Sequence, residues 1–151
     1  KTNMTIYIGS DHAGFELKEC IKSYLQDKGY HIEDKGAFCY DAEDDYPDFT
    51  RLVVESVSND PTGRGIVLGG SGQGEAIVAN RFHRVRAALY YGGSEDIIRL
   101  SRQHNDANVL SLGARFLDEK EALKAVEIWL NTSFDGGRHA RRIQKIDKMM
   151  E

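Results

Sequence analysis

The residues that offer the most chemistry lie together in Gly69-Gly70-Ser71-Gly72-Gln73-Gly74-Glu75. Glycines at 69, 70, 72 and 74 let the backbone come close to a ligand and aim several N–H groups the same way. The run Ile66-Val67-Leu68 before them reads as a buried parallel strand, and a helix is expected to follow to about Phe82. A helix start adds unpaired N–H groups and the positive end of a dipole. The stretch is therefore a place for developing negative charge. Glu75 at its mouth can stay ionised there and accept a proton. Two plainer readings stand beside this one: the turn is tight packing, and Glu75 is a first-turn acid serving the helix dipole. A dinucleotide fingerprint fits poorly. G-x-G-x-x-G from Gly70 needs glycine where Glu75 stands, and the loop follows the third expected strand rather than the first. No G-K-[ST] occurs, so this is not a Walker loop.

Other residues could join such a site. Asp11-His12 at a strand end can do acid–base work or bind sugar hydroxyls, or can simply form a turn. His104-Asn105 has the same ambiguity, because histidine is favoured at a helix C-terminus in any case. Arg138 and Arg142, four apart, share a helix face and with Arg115 could clamp a phosphate by charge-assisted bonds. Arg141, Lys145 and Lys148 read as a solvated basic face. Asp41, Glu43, Asp44 and Asp45 read as a solvated acidic loop, since a metal needs ligands that converge in space. His31, His83 and His139 read as structural or surface residues. Cys20, on the apolar side of a helix, and Cys39, in a loop, have no metal or redox spacing. Both are expected free, in the cytoplasm.

The elements that would position these residues alternate along the chain. Strands are expected at Met4–Gly9, Tyr30–Asp34, around residues 66–68, at Arg86–Tyr91 and at Val109–Gly113. Between them, Leu17, Cys20, Ile21, Tyr24 and Leu25 repeat at helical spacing, and Gly29 supplies the stop. Tyr46-Pro47 opens a helix with Phe49, Leu52, Val53 and Val57 as its buried stripe. Ser94 can cap the next, which presents Ile97, Ile98 and Leu100. Asp118 and Glu121 form a D-x-x-E capping pattern before the broad apolar face of Leu123, Val126, Ile128, Trp129 and Leu130. The last helix turns Ile143 and Ile146 inward. Five strands alternating with helices predict an α/β fold with a parallel sheet and helices on both faces. In such sheets ligands lie beyond the carboxyl ends of the strands, where Asp11-His12, Gly69–Glu75 and Arg115 would fall.

The bulk numbers agree. The chain has 151 residues, 40% hydrophobic and 29% charged, as expected of one globular domain. A net charge of −4 argues against general nucleic-acid binding. No stretch approaches the roughly 18 apolar residues of a membrane span, and no signal peptide is visible. Lys1-Thr2-Asn3 precede a Met4 that reads as the natural start, so 1–3 are expected to be an added remnant and 4–151 the domain.

Five motifs occur in order: Ser10-Asp11-His12-Ala13-Gly14, Asp45-Tyr46-Pro47, Gly70-Ser71-Gly72-Gln73-Gly74, Arg102-Gln103-His104-Asn105-Asp106-Ala107-Asn108-Val109 and Gly136-Gly137-Arg138-His139. Together they resemble the type B ribose-5-phosphate isomerases, in a sugar-phosphate isomerase family that includes allose-6-phosphate and galactose-6-phosphate isomerases. The likeness covers nearly the whole chain from Met4. It implies a Rossmann-like three-layer α/β/α sandwich and aldose–ketose isomerisation through an enediolate, with no metal and no cofactor. Many relatives carry a catalytic cysteine where this chain has Gly69. The chain instead resembles the branch in which a glutamate at the position of Glu75 is the base. By the same likeness Ser71 assists proton transfer, and the backbone N–H groups of Gly70, Gly72 and Gly74 hold the enediolate oxygens. Asp11 and His104 assist ring opening. Asn105 and Tyr46 contact the sugar. His12, Arg115, Arg138 and Arg142 bind the phosphate. The partner is a small sugar phosphate, with neither nucleic acid nor membrane, and the site is shared in a homodimer or a dimer of dimers. A six-carbon sugar phosphate, or a non-catalytic nucleotide or sugar-phosphate binding module, are the alternatives. The wide apolar faces around Ile97 and Trp129 also motivate the dimer.

Overall fold

The computed structural model describes residues 4–150; the expected remnant at 1–3 lies outside the described residues. Five short segments form strands: β1 (Thr5–Ser10), β2 (His31–Asp34), β3 (Arg64–Gly69), β4 (Ala87–Tyr90) and β5 (Val109–Gly113). They pair entirely in parallel, in the order β2-β1-β3-β5-β4. Six helices connect and follow them: α1 (Phe15–Asp27), α2 (Tyr46–Ser58), α3 (Gln73–Ala79), α4 (Asp96–Gln103), α5 (Glu119–Asn131) and α6 (Arg138–Lys148).

Alternation along the central strands sends side chains to two cores. Ile6, Ile8, Ile66, Leu68, Leu110 and Leu112 meet Ile21 and Leu25 of α1, Ile98 of α4 and Trp129 of α5. Val67 and Val109 face the other way, towards Val53, Val54 and Val57 of α2 and Ala79 of α3. The sheet is thus covered on both sides, as the expected sandwich requires.

Local signals explain the helix ends. Asp118 accepts from the Glu121 N–H and Glu121 returns to the Asp118 N–H, the capping box legible in the sequence. Ser94 Oγ accepts from the Asp96 N–H at 3.2 Å. Several details depart from the expected pattern. β1 starts and ends one residue later, and α3 stops at Ala79 rather than near Phe82. Leu52 and Ile146 are exposed, and Cys20 is half-buried. Trp129 is fully buried in its own chain, its Nε1–H donated to the Ala107 carbonyl, so it cannot offer a face to another molecule.

The topology also places a crevice. From β1 the chain moves outward to β2, then returns to the other side of β1 as β3. Strand order therefore reverses between β1 and β3, and the loops leaving their carboxyl ends part there.

Candidate active site

β1 and β3 run side by side, with Ser10 opposite Leu68, so Asp11 and Gly69 emerge together. The chain after β1 folds into a 3-10 turn, His12–Gly14, capped by Asp11, whose Oδ1 accepts from the Ala13 N–H at 3.0 Å. Gly14 lets this turn lie on β3, since a Cβ there would sit 2.6 Å from Leu68 Cβ.

The glycine loop after β3 is fastened to the end of β5. The Ala114 N–H donates to the Gly69 carbonyl at 2.8 Å and the Arg115 N–H to the Gly70 carbonyl at 3.0 Å. Ser111 Oγ donates to the Gly72 carbonyl at 2.6 Å. Gly72 is left-handed, at φ 78°, and so turns the chain into α3. Gly70 and Gly74 then each admit a neighbouring side chain. The Arg115 guanidinium lies against Gly70, where a Cβ would come within 2.9 Å of Nη1. The Tyr46 ring, at the start of α2, lies over Gly74, where a Cβ would meet Cε1 at 2.6 Å.

Glu75, in the first turn of α3, is 4% exposed. Its carboxylate folds back over Gly69, so a Cβ on residue 69 would fall onto it. A side chain at 69 and the Glu75 carboxylate therefore compete for one volume. Burial raises the Glu75 carboxyl above its ordinary range, while its own backbone N–H pulls the other way and nearby Asp11 adds to the rise. Desolvation wins over hydrogen bonding here. A buried carboxylate whose pKa is raised is a stronger base than a solvated one, which suits it to take a proton from a weak carbon acid.

His12 has a partner that sequence reasoning missed. Asp44 Oδ1 accepts from the His12 backbone N–H at 3.1 Å and lies 2.7 Å from His12 Nδ1. The solvated reading of the acidic loop is thus wrong at Asp44, though Asp41, Glu43 and Asp45 are exposed as expected. That hydrogen bond raises the His12 pKa above its ordinary value, opposed by partial burial and by Arg115.

The remaining expected site residues form a second group. α4 returns antiparallel to the strands, so its end, His104-Asn105, lies at their amino edge. There Arg86, just ahead of β4, donates to the Asn105 carbonyl at 3.0 Å. His139 of α6 stacks on His104, with ring centroids 4.2 Å apart and planes 11° off parallel. Arg138 and Arg142 border His139 and, with burial and His104, lower its pKa. His139 is therefore buried beside a candidate site residue, a role its isolated position in the sequence does not signal. The first group occupies the carboxyl edge, the second the amino edge, one strand length or roughly 17–20 Å away. Among the described residues, no hydrogen bond, ion pair or ring contact joins the two groups. One chain alone does not bring Glu75 to His104 and Arg142.

Two clusters have donor atoms within 4.8 Å of one another: Asp11, His12 and Asp44, and His104, Asp135 and His139. In the first, Nδ1 of His12 is already engaged by Asp44. In the second, the stacked rings keep their in-plane lone pairs in separate, nearly parallel planes. Both arrangements suit hydrogen bonding better than a metal ion.

A cavity of about 620 Å³ lies away from Glu75, beside the edge strand β4. Phe82, Leu89, Ile97, Leu100, Ile146 and Met149 give it an apolar wall, and Asn105 reaches its lining. Among the described residues, no helix is long and apolar enough to cross a membrane.

Residues 6–146 match the family model for Ribose/Galactose Isomerase. The chain is 45% identical over 141 residues to ribose-5-phosphate isomerase B of Mycolicibacterium paratuberculosis, covering 93% of this chain and 87% of that protein. Its structure superposes on the crystal structure of ribose-5-phosphate isomerase B from Mycoplasma genitalium with bound ribulose-5-phosphate, at a TM-score of 0.94 and 42% identity, covering 99% and 97% of the two chains. The enzyme of the same name from Thermotoga maritima gives 0.89 at 46% identity, covering 97% and 99%.

Proposed function

Since the chain belongs to the ribose/galactose isomerase family, we propose that it interconverts ribose 5-phosphate and ribulose 5-phosphate with Glu75 as the base. The observation that carries this reading is the Glu75 carboxylate, buried over Gly69 at the mouth of the glycine loop. It fills the volume that a catalytic side chain at 69 would use, as expected if the two are alternative bases. The similarity to isomerases of ribose 5-phosphate, one of them solved with ribulose-5-phosphate bound, supports the choice of sugar.

In this mechanism Glu75 removes the C2 proton of the open-chain aldose and returns it at C1. The enediolate oxygens meet N–H groups of Gly70, Gly72 and Gly74, and Ser71 assists the transfer between oxygens. No step calls on a metal. Asp11 faces the same crevice and assists ring opening. Tyr46, fixed over Gly74, contacts the sugar. His12 and Arg115 stand together on the phosphate side, linked by their mutual electrostatic effect.

His104, Asn105, Arg138 and Arg142 act in the site of a second copy. A homodimer, alone or doubled, supplies from one chain what the amino edge of the other cannot bring. The separation of the two groups supports this, as does the exposed apolar wall of Ile97, Leu100 and Ile146. Trp129 does not. The 4–151 segment works as one catalytic domain, and the two free cysteines suit a reducing cytoplasm.

The test is a coupled assay on ribose 5-phosphate in EDTA, with allose 6-phosphate compared by kcat/KM. Turnover of the pentose that is abolished in Glu75→Gln is expected. Equal activity in wild type and Glu75→Gln would end the mechanism, and preference for the hexose would change the substrate.

A further inference from the structure

The loop between β2 and α2 is built rather than solvated. It continues the pairing of β1: the Lys35 N–H donates to the Ile8 carbonyl at 2.8 Å, Ser10 N–H to Gly36 at 2.8 Å, and Ala37 N–H to Ser10 at 2.7 Å. Asp34 ties its start to α1 through Lys18 and Lys22. At its far end Asp41 makes an Asx turn with the Glu43 N–H, and the Asp44 N–H donates to the Asp41 carbonyl at 3.1 Å. That turn delivers the Asp44 side chain inward, 9% exposed, onto His12.

We propose that Asp44 is a positioning residue for His12, holding its ring by Nδ1 so that a protonated Nε2–H faces the phosphate of the substrate. The inference rests on the isomerase reading for the identity of the phosphate, but the Asp44–His12 pair stands on geometry alone. Two bonds converge on one oxygen, Oδ1, from the backbone and the ring of the same residue. They fix both the position of His12 and the rotation of its imidazole. Nδ1 is consumed, so Nε2 is the atom left to bind a ligand. Oδ2 of Asp44 is buried without a protein partner among the described residues. A buried carboxylate paired on one side only favours a cation opposite it, and the imidazolium is that cation.

The groups around His12 are of both signs. Asp11 and Asp44 favour its charged form, and Arg115 opposes it. Tyr40, from the same loop as Asp44, meets the ring edge-on at 6.0 Å. Remove the Asp44 charge and Arg115 is left with only Asp11 against it. His12 should then lose its proton at lower pH than in the unsubstituted protein, and with it a charge-assisted bond to phosphate.

Asp44→Asn keeps an oxygen acceptor and nearly the same shape, so it removes charge rather than packing. Three readouts decide the matter. The His12 ring, followed by NMR in both proteins, should titrate at lower pH in the variant. KM for ribose 5-phosphate at pH 8 should rise by roughly five- to tenfold, with kcat little changed. The KM ratio should fall towards one as pH is lowered through the two His12 titrations that the NMR arm records. Titration of the phosphate itself cancels in the ratio. Binding of inorganic phosphate, by calorimetry on the unsubstituted and Asp44→Asn proteins, should weaken with the same pH dependence. An unchanged His12 titration overturns the proposal. So does a KM or phosphate-affinity ratio that is the same at every pH, which would mark a merely structural role. If ribose 5-phosphate is not a substrate at all, the NMR and phosphate arms still judge Asp44, and only the isomerase reading fails.

Discussion

Gly69 and Glu75 share one volume, and that sharing has consequences for single substitutions. A methyl group at 69 would collide with the Glu75 carboxylate. Gly69→Ala should therefore displace the base and cut kcat by roughly a hundredfold or more, in the range of a lost general base. Glu75→Gln should be at least as inactive, but more stable at neutral pH. The folded-state pKa of Glu75 lies above its ordinary 4.5. Its contribution to stability is thus full below that ordinary value and is lost as pH rises through the folded value. Glu75→Gln should melt higher than wild type at pH 8 and the advantage should vanish towards pH 4; scanning calorimetry at the two pH values checks this. The same raised pKa predicts an acid limb in the kcat/KM profile above the normal glutamate range. The place of Glu75, in the first helical turn after the glycine loop, was legible in the sequence because a glycine loop and a helix start are local signals. Asp44 and His139 were not. Their roles come from partners 32 residues away in one case and on a separate helix in the other, and no local pattern encodes those meetings.

α6 shows what helical spacing can and cannot tell. His139 and Ile143, four apart, form its buried side. Arg141 lies about 200° around the helix from His139 and faces away, whereas Arg138 and Arg142 flank the buried side on one edge. The phosphate role proposed for that edge predicts unequal kinetics. Arg142→Ala should raise KM for ribose 5-phosphate by roughly ten- to a hundredfold, about 1.5–3 kcal/mol for a charge-assisted contact. Arg141→Ala should change it little. Steady-state kinetics with thermal melts decide between this and equal, small effects, which would remove α6 from the site. Apolar runs, helical spacing and turn signals located the five strands and six α-helices and the capping box at Asp118, because these depend on neighbours in sequence, but not the 3-10 turn at His12–Gly14. They erred on which side some residues face. Ile146 was expected inward and is exposed. Trp129 was expected to widen an outer face and instead fills the core. Amphipathic spacing defines a stripe but not what covers it.

At the scale of the molecule, parallel topology separates residues that the proposed mechanism uses together. Strand ends carry Asp11, Glu75 and Arg115 to one edge of the sheet; the returning helix carries His104 to the other. In the proposed homodimer a second copy would resolve this: a two-fold dimer would contain two sites, each with a carboxyl-edge half from one chain and an amino-edge half from the other. That arrangement is tested by mixing two inactive chains. One carries Glu75→Gln, the other both His104→Asn and Arg142→Ala. Each alone should be nearly silent in the ribose 5-phosphate assay. In a mixed dimer one site receives all the damage and the other is intact. Co-refolding equal amounts makes about half of the dimers mixed, so roughly a quarter of wild-type activity should return. A mixture as silent as either parent, with mixed dimers demonstrated by mass, would contradict a shared site built around Glu75.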